Sequence, residues 1–446
     1  MKHKGKARRG QALIMITTSL IALCGIMGLA VDLGWGYFVK QSAQRAADSA
    51  ALAAAETALS ASGGGATCVT NVTCQAAPVV CPASGNLTNG CEYAQSNGFQ
   101  PGGAGGNQNV TIAAGTSSPA PTAPGMRVKY WVTVRATQTA PQLFSAVLGN
   151  PVMTVSARAT AGIFSSGANG CIYVLDPATG NAMVVSGSAT VNSACGVYVD
   201  SNNSKALVVS GGACLTASGV NVVGNYTTDS CPTNTTPKTG VPKQPDPFSQ
   251  MQAPTYPPGT CDHTNLSISS SSPTLGPGVY CGGITISNSN VTFQPGQYIL
   301  LGGGFTVSDS HSTVTNLLTG GDGSGGVSFY NTFDATHAYN AVTISGGAQA
   351  VLNAPTDGPM EGILFFQDRS VVTSKKDTIS GGSSSKIDGV LYFPKSNLVY
   401  SGGSSLDGYT TIVANTLTVS GNSTLNDNYS SLADGAPGPK IAALIE

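Results

Sequence analysis

Apolar and polar positions near the N-terminus predict a membrane-spanning helix that continues as an amphipathic, alanine-rich helix. Residues 12–31 carry no charge, and their only clearly polar side chains are Thr17, Thr18 and Ser19. At about 1.5 Å per residue, this block is about 30 Å long, which is the thickness of the hydrocarbon layer of a bilayer. Residues 39–60, which follow, are rich in alanine and other helix formers.

The charges that flank the apolar block predict its orientation. Five lysine or arginine residues and no acidic residue occur in the first ten positions: Lys2, Lys4, Lys6, Arg8 and Arg9. Such charges stay on the cytoplasmic side, so the rest of the chain is expected to be periplasmic or extracellular. A cleaved signal peptide is the alternative, with an apolar core of about 7–15 residues and a small-x-small site. Ala30-Val31-Asp32 matches that site poorly, so we expect a retained single-pass anchor, in which residues 1–60 form a basic cytoplasmic tail, a transmembrane helix and its helical extension.

The next part of the chain predicts a loop and then a small sheet. Residues 61–107 are rich in Gly, Ser, Asn and Pro, which indicates a cysteine-containing loop or linker. Residues 109–112, 127–135 and 153–160 read as strands, and residues 142–149 read as a short helix that ends at Gly149. A long N-terminal helix followed by a few antiparallel strands is the layout of a pilin-like α+β module, which we place at residues 108–165.

From residue 171 a repeated motif appears, in which two β-forming residues precede Ser and then Gly, Asn or Asp. Its serines are Ser186, Ser210, Ser287, Ser308, Ser345, Ser380, Ser401 and Ser420, separated by 24, 77, 21, 37, 35, 21 and 19 residues. The short steps match one coil of a parallel β-helix, and such self-similarity indicates a solenoid. We therefore predict a β-helix-like domain at residues 171–430, with a Pro-rich insertion or hinge at 232–260 and a tail at 431–446. The step of 77 residues would hold three or four coils, or fewer with an insertion, and a β-sandwich is the alternative fold.

Composition fits an exported, mainly β protein. Charged residues make up 9 % of the chain, glycine accounts for 57 of 446 residues, and the net charge is −1, so no basic surface for nucleic acid is expected. Of the 11 cysteines, Cys24 lies in the predicted span, and the other ten lie on the exported side, where disulfides form. Proximity suggests the pairs Cys171–Cys195, Cys214–Cys231 and Cys261–Cys281, although sequence alone does not determine connectivity. Metal binding is not expected, because no Cys-x-x-Cys spacing occurs and the four histidines are scattered.

Few residues suggest chemistry. A polysaccharide-active β-helix would need two carboxylates on neighbouring coils, and the candidates are Asp368, Asp388 and Asp407. The last two each precede glycine, in a setting typical of turns, and Asp368 could pair with Arg369 at a corner. The glycine-rich segment 320–326 resembles one calcium-binding repeat, but a single copy offers too few oxygen ligands. We therefore expect no enzyme and no catalytic, cofactor-binding or metal-binding residue; the alternative is an anchored protein that binds or degrades polysaccharide.

The N-terminal region resembles that of the TadE/TadG-like Flp (Tad) pilus-assembly proteins. The resemblance is carried by residues 8–10 before the span, Ala30-Val31-Asp32-Leu33-Gly34 at its end, Tyr37, and the run QRAADSAALAAA at residues 44–55. Some relatives are cleaved after a glycine that is followed at the fifth position by glutamate; here Met15 has that position after Gly10. The Asp-x-Ser-x-Ser pattern of the von Willebrand A-type domain, which several family members carry, is absent.

This resemblance implies an inner-membrane protein of a bacterial pilus or secretion apparatus that acts with other Tad pilus-assembly components. Together with the patterns above, it predicts a mainly β chain with an N-terminal transmembrane helix, a pilin-like module and a C-terminal parallel β-helix. Its expected role is structural, in Tad/Flp-type pilus assembly or surface adhesion. Self-association is a further possibility, because open coil ends can stack.

Overall fold

The fold is described from a computed structural model of the chain. The residues that it describes are 9–62, 68, 72–122, 128–165, 170–229, 231, 235–249, 251–318, 325–356, 358–382, 384–401, 405–408, 410–427 and 440–446.

Strands dominate the chain after one long N-terminal helix. The helices are α1 (Arg9–Ser62), α2 (Asn86–Ser96), the turn-like α3 (Gly103–Gly106) and a 3-10 helix (Ser145–Leu148). The strands are β1 (Gln75–Val80), β2 (Gln108–Gly115), β3 (Tyr130–Pro141), β4 (Val152–Ser165), β5 (Gly170–Val174), β6 (Met183–Val185), β7 (Thr190–Val199), β8 (Leu207–Val209), β9 (Cys214–Val222), β10 (Tyr226–Thr228), β11 (Lys238–Thr239), β12 (His263–Ser269), β13 (Thr274–Leu275), β14 (Gly278–Ser287), β15 (Asn290–Phe293), β16 (Gly296–Leu301), β17 (Phe305–Ser308), β18 (Thr313–Asn316), β19 (Val327–Thr332), β20 (Val342–Ile344), β21 (Gln349–Asn353), β22 (Ile363–Gln367), β23 (Lys376–Ile379), β24 (Lys386–Tyr400), β25 (Ser405–Gly408), β26 (Thr410–Val419), β27 (Thr424–Asp427) and β28 (Lys440–Leu444). The prediction of a mainly β chain with an N-terminal apolar helix is thus confirmed.

The chain divides into two compact units. Unit 1 comprises Met1–Phe164 and Ile441–Glu446, and unit 2 comprises Ser165–Lys440. In unit 1 the strand order is β1-β2-β3-β4-β28, with antiparallel pairing from β1 to β4. The three strands expected from alternation overlap β2, β3 and β4.

Helix α1 packs its alanine face on the sheet of unit 1. Buried alanines recur along this face at steps of three and four residues: Ala43, Ala46, Ala47, Ala50, Ala54 and Ala58. The facing strands also contribute small residues, including Ala136, Ala157, Ala159 and Ala161. Small residues on both partners allow the helix to approach the sheet closely, and larger side chains of the sheet such as Ile112 and Tyr130 complete the same core.

Residues 61–107 differ from the expected loop or linker, because they contain β1 and α2. Helix α2 buries Leu87 and Ala94 in the core of unit 1. Its Gly90 allows a close approach to α1, since a Cβ there would lie 2.9 Å from the carbonyl oxygen of Ala50. The buried amide of Asn86 donates to the Tyr130 hydroxyl (2.9 Å) and to a carbonyl of α1. Helix α2 was not predicted because its segment is rich in turn-forming residues. It is stabilised by packing in the core and by the hydrogen bonds of Asn86.

Disulfides join all ten cysteines on the predicted exported side. The pairs are Cys68–Cys74, Cys81–Cys91, Cys171–Cys195, Cys214–Cys231 and Cys261–Cys281. The three pairs suggested by proximity are confirmed, and Cys24 is free. Each disulfide joins two cysteines that are consecutive in the sequence and so closes a short loop.

Unit 2 is built from parallel strands. Every pairing whose register is described between its strands is parallel, for example β7 with β9, and β16 with β19. Alternate residues of these strands point into one continuous apolar core, in which Tyr298, Phe329 and Phe365 stack next to one another. This arrangement leaves the β-sandwich alternative without support.

The eight copies of the serine motif lie side by side in one series of paired strands, which we call the motif column. The residue before each serine is paired with its counterpart in the next copy, in the order Ile286, Val307, Ile344, Ile379, Tyr400, Val419, Val185 and Val209. The first two copies in the sequence therefore follow the last copy in space. The long step of 77 residues fits the second alternative, fewer coils with an insertion: β10 pairs with β8 at one end of the column, β12 pairs with β14 at the other, and the segment between them connects the two ends.

The Pro-rich segment predicted at 232–260 contains, within the described residues, β11, which pairs with β9. Residues 240–249 and 251–260, which we call the strap, connect these ends. The strap lies on the outer face of the parallel strands instead of forming a hinge. Gln244 donates its backbone N–H to Asp200 after β7, and Tyr392 in β24 donates its hydroxyl to Asp246 (2.6 Å). Phe248 is fully buried and meets Tyr392 edge-on at 5.6 Å, and Cys261 is bonded to β14. The strap thus follows the column from one end towards the other.

Candidate functional site: the exposed segment of α1 and its junction with the sheet

The first half of α1 is apolar and uncovered in unit 1. Every residue from Leu13 to Met27 is exposed, and the described helix contains a window that is long and apolar enough to cross a membrane. Burying such a surface is favourable by about 25 cal/mol per Å² of apolar area. An exposed apolar rod of this length is unusual for a soluble protein, so this segment is the strongest candidate for a functional surface.

Packing against the sheet begins at Gly28. Gly28, Asp32, Gly36, Val39 and Ala43 recur at steps of three and four residues, and all are buried. A Cβ at Gly28 would overlap the ring of Phe144, and one at Gly36 would lie 2.6 Å from Cε of Met153. The absence of a side chain at Gly28 therefore lets the connection between β3 and β4 lie directly on the helix, and its absence at Gly36 does the same for the start of β4.

Asp32 fixes this connection to α1. Its carboxylate accepts the backbone N–H groups of Leu143 (3.0 Å), Phe144 (3.1 Å) and Ser145 (2.7 Å). These donors belong to the start of the 3-10 helix, where N–H groups lack partners within the helix. Sequence reasoning included Asp32 in the family motif but gave it no partner, because the loop lies 111 residues away.

Exposed apolar side chains gather around this junction. In the connection, Leu143, Phe144 and Val147 are exposed, and Val152 follows at the start of β4. On α1, the next turns present Leu33, Trp35, Tyr37 and Phe38. The signal was visible in the sequence, since residues 141–153 contain no charge, but the alternation of the flanking strands drew attention away from it.

The carboxylates proposed from sequence as catalytic candidates have structural partners. Asp368 accepts the hydroxyls of Tyr330 (2.9 Å), Thr332 (2.6 Å) and Ser370 (2.6 Å), which together hold the pKa of its carboxyl below the usual value despite opposing desolvation. It does not form the expected corner pair with Arg369, whose guanidinium instead binds the carbonyl oxygens of Phe248 and Met251 in the strap.

Asp388 has a separate set of partners. It lies in β24 in register with Asn353, which donates to it at 2.9 Å, and Lys386 is 3.7 Å away. Asp407 lies in β25 in register with Asn426, and its side chain falls outside the described residues. Most of the glycine-rich segment 320–326 is likewise outside them. Gly10 lies in α1.

One group of potential metal ligands is present in the described part of unit 2. Sulfur atoms of Cys261 and Cys281 and a ring nitrogen of His337 lie within 4.8 Å of one another. The two sulfurs are joined in a disulfide, so they have no thiolate to offer, and the His337 ring contacts Asp334 at 3.0 Å. This group therefore lacks the chemistry of a metal centre.

Comparison with known proteins identifies a related family for the N-terminal region. The family model described as "Putative Flp pilus-assembly TadE/G-like" matches residues 10–58. A search of curated proteins found no match, and a search of solved structures found none either. The matched region includes the exposed apolar segment, Asp32 and the alanine face of α1. The resemblance expected from the sequence is thus confirmed over residues 10–58, and this N-terminal region is similar to the TadE/G-like Flp pilus-assembly family.

Proposed function

We propose that this chain is a membrane-anchored structural component of a Tad/Flp-type pilus-assembly apparatus. The observation that carries the proposal is the coincidence, within residues 10–58, of the family match and the exposed apolar half of α1. In this proposal α1 crosses the inner membrane once. Its basic N-terminus lies in the cytoplasm, and both units lie outside it. The five disulfides support this placement, because such bonds persist in oxidising compartments.

The two units have different parts in this proposal. Unit 1, with its helix packed on an antiparallel sheet, acts as a pilin-like module that holds the anchor. Unit 2 is a parallel β-helix, an interpretation supported by the in-register motif column and the continuous core. A stack of this kind is a rigid body that can present surfaces to other Tad components.

A topology experiment tests the anchor and its orientation. A reporter that is active only outside the cytoplasm is fused to the C-terminus of the full chain, and its activity and membrane fractionation are measured. We expect an active reporter in the membrane fraction. The double variant Leu20→Glu with Leu23→Glu should lose both the reporter activity and the membrane association, because charged groups are costly in the bilayer. The matched variant Leu20→Ala with Leu23→Ala should retain both properties. An inactive, cytoplasmic reporter in the unaltered chain would refute the proposal.

A deletion experiment tests the role in assembly. Removing the gene from the bacterium that encodes it should abolish surface Flp pili, and the full chain supplied in trans should restore them. Normal pili in the deletion strain would separate the membrane anchor from pilus assembly.

We further propose that the chain has no enzymatic activity. Among the described carboxylates, Asp368 and Asp388 are engaged by hydroxyl, amide and ammonium groups of their own surroundings. No specific observation favours the alternative of an anchored protein that binds or degrades polysaccharide. Turnover of any glycan in a broad panel that is lost in an Asp388→Asn variant would revive that alternative.

A further inference from the structure

We propose that the connection between β3 and β4, residues 142–151, inserts its apolar side chains into the outer leaflet of the membrane that α1 crosses. The occupant of this exposed apolar surface is therefore lipid. The inference rests on the proposed function in one respect, namely that α1 spans the membrane. It goes beyond that function because it assigns a second membrane-contacting segment, far from α1 in the sequence.

The position of the connection along α1 is the first argument. The ring of Phe144 lies against Gly28, and Asp32 binds the amides of the same segment. Gly28 is three residues inside the uncharged block that ends at Val31, which is about 4–5 Å along the helix axis. The side chain of Phe144 is thus at a depth where the sequence of α1 is still that of a membrane span.

The length of the uncovered helix is the second argument. Residues 13–27 are exposed, and at about 1.5 Å per residue they cover about 22 Å. The hydrocarbon layer is about 30 Å thick, so these residues leave about 8 Å of it unfilled. The next turns of α1, from Gly28 onward, already carry the connection on one face. A helix that fills the layer therefore takes the connection into the bilayer with it.

The chemistry of the segment is the third argument. Residues 141–153 contain no charge, and the exposed fractions of Leu143, Phe144 and Val147 are 69 %, 47 % and 85 %. Backbone N–H groups that enter a membrane need partners, and three of them are satisfied here by Asp32. The same bonds engage the carboxylate, which is only 5 % exposed and so presents little charge to lipid.

The surrounding helix turns give a fourth, independent argument. Trp35, Tyr37 and Phe38 are exposed just beyond the connection. Aromatic residues are enriched at the level of the lipid headgroups, where an apolar ring and a polar edge are both accommodated. The apolar side chains of the connection and the aromatic rings that follow on α1 therefore form one surface, with apolar groups at the level of the acyl chains and aromatic rings at the level of the headgroups.

A depth measurement on the full chain in lipid nanodiscs tests this inference. An environment-sensitive fluorophore is attached to single thiols in three proteins: the unaltered chain at Cys24, Cys24→Ser with Val147→Cys, and Cys24→Ser with Tyr93→Cys. The other ten cysteines are disulfide-bonded, and Tyr93 on α2 is an exposed site for comparison. Quenching is measured with nitroxides at a shallow or a deep acyl position and with aqueous iodide.

We expect the label at position 147 to be quenched by the shallow nitroxide at least twofold more than the label at position 93, and to be protected from iodide. Equal iodide quenching at positions 147 and 93 would overturn the inference. Protection of position 147 from both iodide and nitroxide would also overturn it, since a protein contact would then cover the connection. The label at Cys24 reports on α1 separately: without quenching by the deep nitroxide, the proposed anchor itself fails, whereas quenching there with a water-exposed position 147 leaves the anchor intact.

Discussion

At the scale of single residues, the serine motif has a backbone explanation. The residue that follows the serine has a positive φ in six copies: Gly187, Gly211, Asn288, Asp309, Gly346 and Gly421. Glycine adopts this left-handed conformation without strain, and Asn and Asp tolerate it better than other residues. The choice of Gly, Asn or Asp could therefore be read from the sequence as a turn signal. Which copies of the motif lie side by side could not be predicted, because a turn signal does not indicate which other turn is its neighbour.

A buried acidic residue shows what residue-scale reasoning missed. Asp377 in β23 is fully buried, and accepts the N–H of Val342 (2.7 Å) and the hydroxyl of Ser396. Burial raises the pKa of its carboxyl to about 6. The sequence placed a charged pair, Lys376-Asp377, at the start of a strand, and neither residue type predicts burial.

The raised pKa of Asp377 predicts how stability depends on pH. The folded state holds this proton more tightly than the unfolded state, whose carboxyl has a pKa of about 3.9. The contribution of Asp377 is therefore most favourable below about pH 4 and is lost as the pH rises through about 6, a difference of about 3 kcal/mol. Asp377→Asn keeps an oxygen for Val342 and an N–H group for Ser396. We expect the stability of this variant, relative to the unaltered chain, to increase by about 2 kcal/mol between pH 4 and pH 7, because part of the full difference lies below pH 4.

Urea denaturation followed by intrinsic fluorescence at pH 4, 5, 6 and 7 measures this difference. Asp309→Asn is the matched control, because Asp309 is at an exposed turn and its hydrogen bonds with Asn288 and His311 oppose desolvation and lower its pKa. A difference between Asp377→Asn and the unaltered chain that stays constant over this pH range would contradict the prediction.

At the scale of elements, the strap is the least predictable part of the fold. Its prolines predicted a break in the repeated strands, and the same composition is typical of linkers. The sequence does show apolar runs at residues 363–366 of β22 and 390–393 of β24, which indicate that both faces of these strands are covered. It does not show that the strap provides the cover on the outer face. The cover comes from Phe248 and from two strap carbonyls held by Arg369, which also lies over the rings of Phe366 and Tyr392.

Removing the apolar anchor of the strap tests this role. Phe248→Ala empties a fully buried site, and such a change costs about 3–5 kcal/mol. We expect this loss of stability to detach the strap before the rest of unit 2 unfolds. Trypsin should therefore cleave the variant after Lys243 at least tenfold faster than it cleaves the unaltered chain. Phe333→Ala, at a site that is 36 % exposed, is the control and should cleave at the normal rate. Unchanged cleavage in Phe248→Ala, measured by mass spectrometry of timed digests, would show that the strap is held by other contacts.

Helix α1 was the most predictable element. Its apolar block, its alanine run and its family resemblance are all local features, and the structure and the family match agree with them. The connection from β3 to β4 was also expected as a short helix, near the observed 3-10 helix at Ser145–Leu148. Its attachment to Asp32 was not expected, because hydrogen bonds between distant residues leave no periodic trace in a sequence.

At the scale of the whole molecule, the order of strands in unit 2 departs most from the order of the chain. β5 comes first in the sequence of unit 2, yet it pairs on one side with β26 and on the other with β7. β12 begins after the strap and pairs with β14. The repeated motif indicated that strands lie side by side. The spacing between its copies does not reveal their order, because it is the same whether neighbouring strands follow the chain or are rearranged.

Hydrogen exchange distinguishes these two orders. Backbone amides in strands with neighbours on both sides open less often than those at the end of a stack. We expect peptides from β5 and β26 to exchange at least tenfold more slowly than peptides from β10 and β12, measured by mass spectrometry on the full chain. As a control for the intrinsic rate of amide exchange, two peptides from the same strand are measured at different pH values. Rapid exchange in β5, as at the end of a stack in chain order, would contradict the arrangement described for unit 2.

The pairing of β5 with β26 has a consequence for biogenesis. A ribosome finishes residues 170–174 long before residues 410–419, so the early strands wait for a neighbour that about half the chain separates from them. Contacts between such distant segments form late, because a large loop has to close first. In the proposed topology, the fold of unit 2 is therefore completed only after the last strands have reached the far side of the membrane.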